Sequence, residues 1–427
     1  MDAATERRVQ DLLQSAQEAL RAGRGDDVAR ICDQILSLSP NHPQALSHLG
    51  MRALQRGDGR GALDVLRRAA AAAPKEPMVQ FNVAIAARMI GDRQAEWDAI
   101  ERALAIDPYF FLALFAKGSW LERGGERRLA GRVYKEALKI APPVEQQPAE
   151  LKAAVAHAQA MVQANADDMA AFMQRRVSSI RDRFKSDPFS RFDESLDALA
   201  GRKKVYAHEP TLLHYPRLPA IQYYEREDFP WLPTLEAAAS DIRGELMSLL
   251  AEDRADFKPY VAQPAGAPVN QWAELNHSLK WSTYFLWRDG ERKDAACKRC
   301  PKTAEVLGNL PMADTPGYAP TAFFSALAPH SHIPPHTGVT NTRLIVHLGL
   351  IVPGKCRFRV GNDTREWAEG KAWVFDDSIE HEAWNDSDDL RVVLIFDVWN
   401  PNLSQAEREM ISEMMVAYRD YYKTPAG

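Results

Sequence analysis

The sequence predicts a multidomain protein of two architectures: an N-terminal α-solenoid, followed by a β-rich domain of sandwich or barrel type. Two observations carry this. In the first third of the chain, proline and glycine recur at a spacing of 34 residues, as Pro40, Pro74, Pro108 and Pro142 and as Gly23, Gly57, Gly91 and Gly125. Beyond Lys280 the helical pattern gives way to short apolar or alternating runs separated by turn signals such as Gly361-Asn362-Asp363.

The 34-residue period is that of tetratricopeptide repeats. Each glycine supplies a tight turn after the first helix of a unit, and each proline stops the second. Small residues in a third register, Ala16, Gly50, Ala84 and Gly118, let paired helices approach closely, and Ile35, Ala69, Ala103 and Ala137 keep a fourth. The repeat domain is placed at residues 1–145, a helical cap and linker at 146–205, and the β domain at 206–427. A solenoid of this kind offers a concave groove, from which a protein or peptide partner is expected. The Pro- and aromatic-rich stretch from Tyr206 to Trp231 marks the change of architecture, Leu235 to Leu250 reads as one amphipathic helix, and residues 404–422 read as a closing helix.

At 427 residues and 46% apolar content the chain can build two or three ordinary domains. A net charge of -5, a pI near 6.2 and no dense basic run argue against a nucleic-acid partner. The charged start, Met-Asp-Ala-Ala-Thr-Glu-Arg-Arg, lacks the apolar core of a signal peptide, and no run approaches the roughly 18 apolar residues of a membrane span. A cytoplasmic location without a membrane span is therefore expected. Cys297-Lys-Arg-Cys300 is a single C-x-x-C pair, for which ordinary thiols are a better reading than a metal or redox site.

The chemistry-bearing residues gather near the C-terminus. Five of the eleven histidines fall between His330 and His381. Arg391 interrupts the apolar strand run Leu390 to Trp399, a costly place for a charge unless it meets an anion. Neutral imidazole suits Fe(II), and a guanidinium can grip a carboxylate with two parallel hydrogen bonds. In a facial triad the carboxylate ligand often lies two residues after the first histidine. Here that position is Gly338. Arg343 to Pro353 alternates, with Leu344, Val346, Leu348 and Leu350 on one face and Ile345, His347 and Gly349 on the other.

The segment Pro335-His336-Thr337-Gly338-Val339-Thr340-Asn341-Thr342-Arg343-Leu344, with His347 to Leu350 and Phe375 to Glu382, closely resembles the aspartyl/asparaginyl β-hydroxylase family. The likeness extends more loosely from Trp281 to Pro401. It implies a double-stranded β-helix (jelly-roll, cupin-like) catalytic domain and a dioxygenase that uses Fe(II), 2-oxoglutarate and molecular oxygen to hydroxylate an unactivated carbon. Members lack the carboxylate ligand, in keeping with Gly338. By this resemblance His336 and His381 are the iron ligands, and Arg391 with Ser325 holds the distal carboxylate of 2-oxoglutarate. His347 lies near its keto-acid end, and Asp377 hydrogen-bonds an iron-bound water. Arg343 and Trp281 are candidates for substrate contact. Members acting on acidic side chains place basic residues near the positions of Phe323 and Ile345, which are apolar here, while Arg343 is available for a carboxylate. The leading expectation is hydroxylation of an Asp or Asn side chain in a protein brought by the repeats. The alternatives are an acyl lipid or small-molecule hydroxylase, an iron halogenase, and an inactive scaffold.

Overall fold

The computed structural model describes residues 3–143, 148–186, 188–252 and 256–423, so the expected boundary at 145/146 lies outside the described residues. The chain divides into two compact units, Met1–Arg202 and Lys203–Gly427.

In the first unit, helices alternate as α1 (Ala3–Arg21), α2 (Gly25–Leu38), α3 (Pro43–Gln55), α4 (Gly59–Ala72), α5 (Pro77–Met89), α6 (Arg93–Ile106), α7 (Phe111–Arg123) and α8 (Arg127–Lys139), followed by α9 (Ala149–Arg183) and α10 (Ser190–Ala200). This is a helical repeat region of the tetratricopeptide kind. Gly23, Gly57, Gly91 and Gly125 sit in the turns inside each pair at φ of 69, 79, 76 and 85°, a conformation that costs other residues energy. Gly50 and Gly118 serve differently: a Cβ there would run into the side chains of Leu66 and Tyr134 on the paired helix. The apolar core passes along the stack in separate clusters, and Val155, Ala158 and Met161 of α9 join the one built on Phe115, Leu121 and Tyr134.

The second unit is β-rich. Its strands are β1 (Lys258–Pro259), β2 (Trp281–Arg288), β3 (Glu291–Arg292), β4 (Ala322–Leu327), β5 (Ser331–His336), β6 (Arg343–Ile351), β7 (Cys356–Val360), β8 (Asp363–Glu366), β9 (Ala372–Phe375), β10 (His381–Asn385) and β11 (Arg391–Trp399). One antiparallel sheet runs β1-β2-β4-β11-β6-β9, with β3 on β2, and the other runs β5-β10-β7-β8. Helices α11 (Leu232–Ala237), α12 (Ala239–Glu252), α13 (Asp294–Arg299) and α14 (Pro301–Gly308) accompany the larger sheet, and α15 (Gln405–Lys423) closes the unit. The single helix expected over Leu235 to Leu250 is interrupted at Ala238, where ψ of -4° leaves the helical range and lets Leu232, Leu235, Ile242 and Leu246 all reach one core.

Alternation along the larger sheet separates two environments. Leu344, Val346, Leu348, Leu350, Val392, Leu394 and Phe396 pack with α11 and α12 in one core. The opposite face meets the smaller sheet through Trp281, Leu327 and Val393 against Ile333, Phe358, Val360 and Ala383. His347 lies on this second face, as the pattern from Arg343 to Pro353 predicts.

Candidate active site

The space between the two sheets opens into a cavity of about 910 Å³. All the residues singled out in the sequence line it: Trp281, Ser325, His336, Arg343, His347, Asp377, His381 and Arg391.

His336 closes β5 and His381 opens β10, and the two are register partners with ring centroids 4.1 Å apart. A bulge between His381 and Ala383 breaks the register beside them, a device that re-aims a side chain. Nδ1 of His336 lies 2.8 Å from the Pro334 carbonyl, and Nδ1 of His381 lies 3.0 Å from that of Ile379. A carbonyl can only accept, so each Nδ1 carries the proton and each Nε2 keeps a lone pair. Burial lowers the pKa of His336, and burial followed by the neighbouring His336 drives His381 well below the usual imidazole range. Both rings are thus neutral and suited to ligation.

Trp272 meets the His336 ring edge-on at 5.1 Å. Asp377 lies against Gly338, whose amide donates to the Asp377 carbonyl at 2.6 Å. Burial, then Asp376, pushes the Asp377 carboxyl up to about 8. Among the described residues, no group of three or more His, Cys, Asp or Glu side chains converges on a point.

Arg391 is 1% exposed. Its guanidinium lies 4.7 Å over the Trp367 ring, one NH group donates a long bond of 3.4 Å to the Ser325 carbonyl, and Nε has no partner. Among the described residues it makes no ion pair, and burial lowers its pKa to about 10. His347 Nδ1 and Trp367 Nε1 are likewise buried without partners. Burial and then Arg391 hold His347 well below its ordinary value. The Ser325 hydroxyl accepts from Trp281 Nε1 at 3.1 Å, which leaves its own proton to donate. This end of the cavity is rich in donors and poor in acceptors, an environment made for an anion.

Arg343 lines the cavity with one nitrogen already engaged: the same NH group donates to the buried Asp397 carboxylate at 2.5 Å and to the Tyr318 carbonyl at 3.0 Å. Burial raises the pKa of Asp397, and the arginine offsets this. Asp397 could have been found from sequence, since a carboxylate in Ile395-Phe396-Asp397-Val398 is as conspicuous as Arg391. Trp272, and Tyr260, which lines the cavity stacked on Trp281 at 4.1 Å, could not, because residues 258–272 carry no periodic pattern. Cys297 and Cys300 are buried free thiols in the core beside α12, with Cys297 donating to the Leu286 carbonyl at 3.5 Å. Burial raises both, Cys300 to about 12, so neither is a ready thiolate.

Residues 236–401 match the family described as aspartyl/asparaginyl β-hydroxylase. The similarity lies wholly within the second unit. Human aspartyl/asparaginyl β-hydroxylase is 42% identical over 139 residues, which are 32% of this chain and 18% of the human protein. The ornithine lipid ester-linked acyl 2-hydroxylase of Rhizobium tropici is 36% identical over 197 residues, 45% of this chain and 66% of that one. Aspartate β-hydroxylase domain-containing protein 2 of Xenopus tropicalis is 32% identical over 219 residues, 49% of this chain and 56% of that one. The chain spans less than a fifth of the human relative's length. Among the described residues, no helix is long and apolar enough to cross a membrane.

Proposed function

We propose that the second unit is an Fe(II)- and 2-oxoglutarate-dependent dioxygenase that hydroxylates an unactivated carbon, with an Asp or Asn side chain of a protein or peptide as its target. The observation that carries the cosubstrate is the unpaired guanidinium of Arg391, buried at one end of a cavity that also receives two neutral imidazoles with free Nε2 atoms. The strand order supports the double-stranded β-helix reading: from β4 to β11 the chain passes between the β4-β11-β6-β9 part of the larger sheet and the β5-β10-β7-β8 sheet at every step except β7 to β8.

When bound, the iron and 2-oxoglutarate would supply the oxidising chemistry, in which the keto acid loses carbon dioxide and takes up one atom of molecular oxygen to become succinate while the other atom enters the substrate. The chain's own residues do the rest. His336 and His381 offer the two Nε2 ligands. Arg391 and the Ser325 hydroxyl would hold the distal carboxylate, and the unpartnered His347 Nδ1 and Trp367 Nε1 line the same cavity. Asp377 stands beside the ligand pair as a group that can hold a proton near neutral pH. Trp272, Trp281 and Phe358 wall the pair and exclude water.

A second reading, hydroxylation of an acyl chain, is favoured by one feature. Phe285, Phe323, Ile345 and Ile395 all line the cavity as apolar groups, and the charge of Arg343 is offset by Asp397. The relative from R. tropici is named for such a reaction. The repeats would recruit a protein substrate in the first reading and serve assembly in the second. Full-length protein with Fe(II) and 2-oxoglutarate should release succinate, and the substrate is read by which class, Asp/Asn peptides or acyl lipids, gains one oxygen by mass spectrometry. A protein that releases no succinate under any of these conditions contradicts the proposal.

A further inference from the structure

Shortly after the first unit ends at Arg202, and before the family match begins at residue 236, the chain crosses both loops that carry the histidines. The Thr211 amide donates to the Gly338 carbonyl at 2.9 Å, and those of Leu212 and Leu213 donate to Val339 at 3.1 and 3.0 Å. On the other loop, the Glu209 amide donates to the Ser378 carbonyl at 2.7 Å. A short extended segment is thereby stitched to the turn after His336 and to the turn before His381.

Beneath it lies a buried polar cluster. Asp376 is fully buried; its Oδ1 accepts from the Ser378 amide at 2.9 Å and the Ser378 hydroxyl at 2.6 Å. With its proton given to Asp376, the Ser378 oxygen can only accept from His208 Nδ1, 3.0 Å away, and Asp376 Oδ2 lies 3.2 Å from the same nitrogen. The other ring nitrogen, Nε2, faces the Leu218 carbonyl at 3.2 Å. Both nitrogens of His208 meet acceptors, so both carry protons, and the imidazolium balances a carboxylate that would otherwise be buried alone. The cluster is no hydrolytic triad, because the serine proton points at the carboxylate rather than at the imidazole.

We propose that residues 208–213 form a clasp on the active site, and that His208 is a positioning residue which, through Asp376 and Ser378, aims Asp377 and His381 into the cavity. The roles of Asp377 and His381 rest on the hydroxylase reading, whereas the clasp is a property of the metal-free chain. Asp377 lies between two residues held by His208 and cannot turn without breaking that cluster. The Gly338 carbonyl held by Thr211 belongs to the residue against which the Asp377 carboxylate rests.

The test uses the full-length protein as wild type, His208→Ala and His208→Asn, the last of which keeps a donor toward Asp376. Hydrogen exchange is followed first without metal. In His208→Ala, exchange over residues 336–342 and 376–381 should rise about tenfold, the equivalent of one or two lost hydrogen bonds, while α12 and the repeats stay unchanged. His208→Asn should recover most of the protection. Anaerobic titration with Fe(II) in the presence of 2-oxoglutarate should then show weaker binding in His208→Ala and rescue in His208→Asn. If His208→Ala does not fold, Ser378→Ala removes the acceptor of the same bond and carries the same expectation. Unchanged exchange at the two loops, or an equal rise across α12 and β11, overturns the clasp. A local rise in exchange combined with no Fe(II) response in any protein, wild type included, supports the clasp and counts against the hydroxylase reading instead.

Discussion

Gly338 and Asp377 occupy adjoining halves of one space: a Cβ added to Gly338 would fall on the Asp377 carboxylate. A side-chain ligand at position 338 is therefore excluded by packing as well as by sequence. Gly338→Asp should not create a third ligand. It should displace Asp377 and lower stability by about 1–3 kcal/mol, the usual cost of overpacking. The double variant Gly338→Asp/Asp377→Gly should recover much of that loss in urea unfolding, whereas simple additivity of the two changes would contradict the shared space.

Arg391 is a buried charge waiting for an anion. Replacing it with Met keeps most of the volume and removes the desolvation penalty, so the ligand-free protein should gain stability, by about 1–4 kcal/mol on the precedent of buried ionic groups replaced by apolar ones. The same variant should lose the rise in melting temperature that 2-oxoglutarate gives the wild type, since a ligand stabilises only the state that binds it. An equal thermal shift in both proteins would place the cosubstrate elsewhere.

His336→Ala and His381→Ala should each abolish iron-dependent succinate release. Because both side chains line an open cavity, far-ultraviolet circular dichroism should remain that of the wild type. Full activity in either variant would remove that residue from the ligand set.

The Asp376 carboxylate beside Nδ1 raises the pKa of His208, outweighing burial, which lowers it. A raised folded-state pKa contributes stability that is complete below the unfolded value, about 6.5, and is lost as pH rises through the folded value. The stability difference between wild type and His208→Asn should therefore be largest in mild acid and shrink in mild alkali, as read by urea midpoints across that range. A difference that grows with pH would mean that His208 is neutral in the fold.

Much of this architecture was legible because it repeats or alternates. The glycine register of the repeats marks four left-handed turns, and the β6 pattern places His347 opposite the leucines. β11 was legible from its apolar run, and Arg391 at its start pointed to the cavity. Less legible were β5 and β10, whose residues, such as Pro334, Pro335 and Glu382, give no clean alternation although they carry both histidines. The Arg343–Asp397 pair escaped notice because partners 54 residues apart become neighbours only through sheet register. The clasp was hidden for a similar reason: His208 and Ser378 are 170 residues apart, and the other bonds are made by backbone amides, which leave no signature in side-chain type.

The central claim is that this cavity holds Fe(II) and 2-oxoglutarate together. Anaerobic addition of both to the full-length protein tests it most directly, read as the weak visible charge-transfer band of an iron-chelated keto acid beside the His381→Ala variant. The band should appear in the wild type and be absent from the variant. No band in the wild type, or the same band in both proteins, would contradict the account.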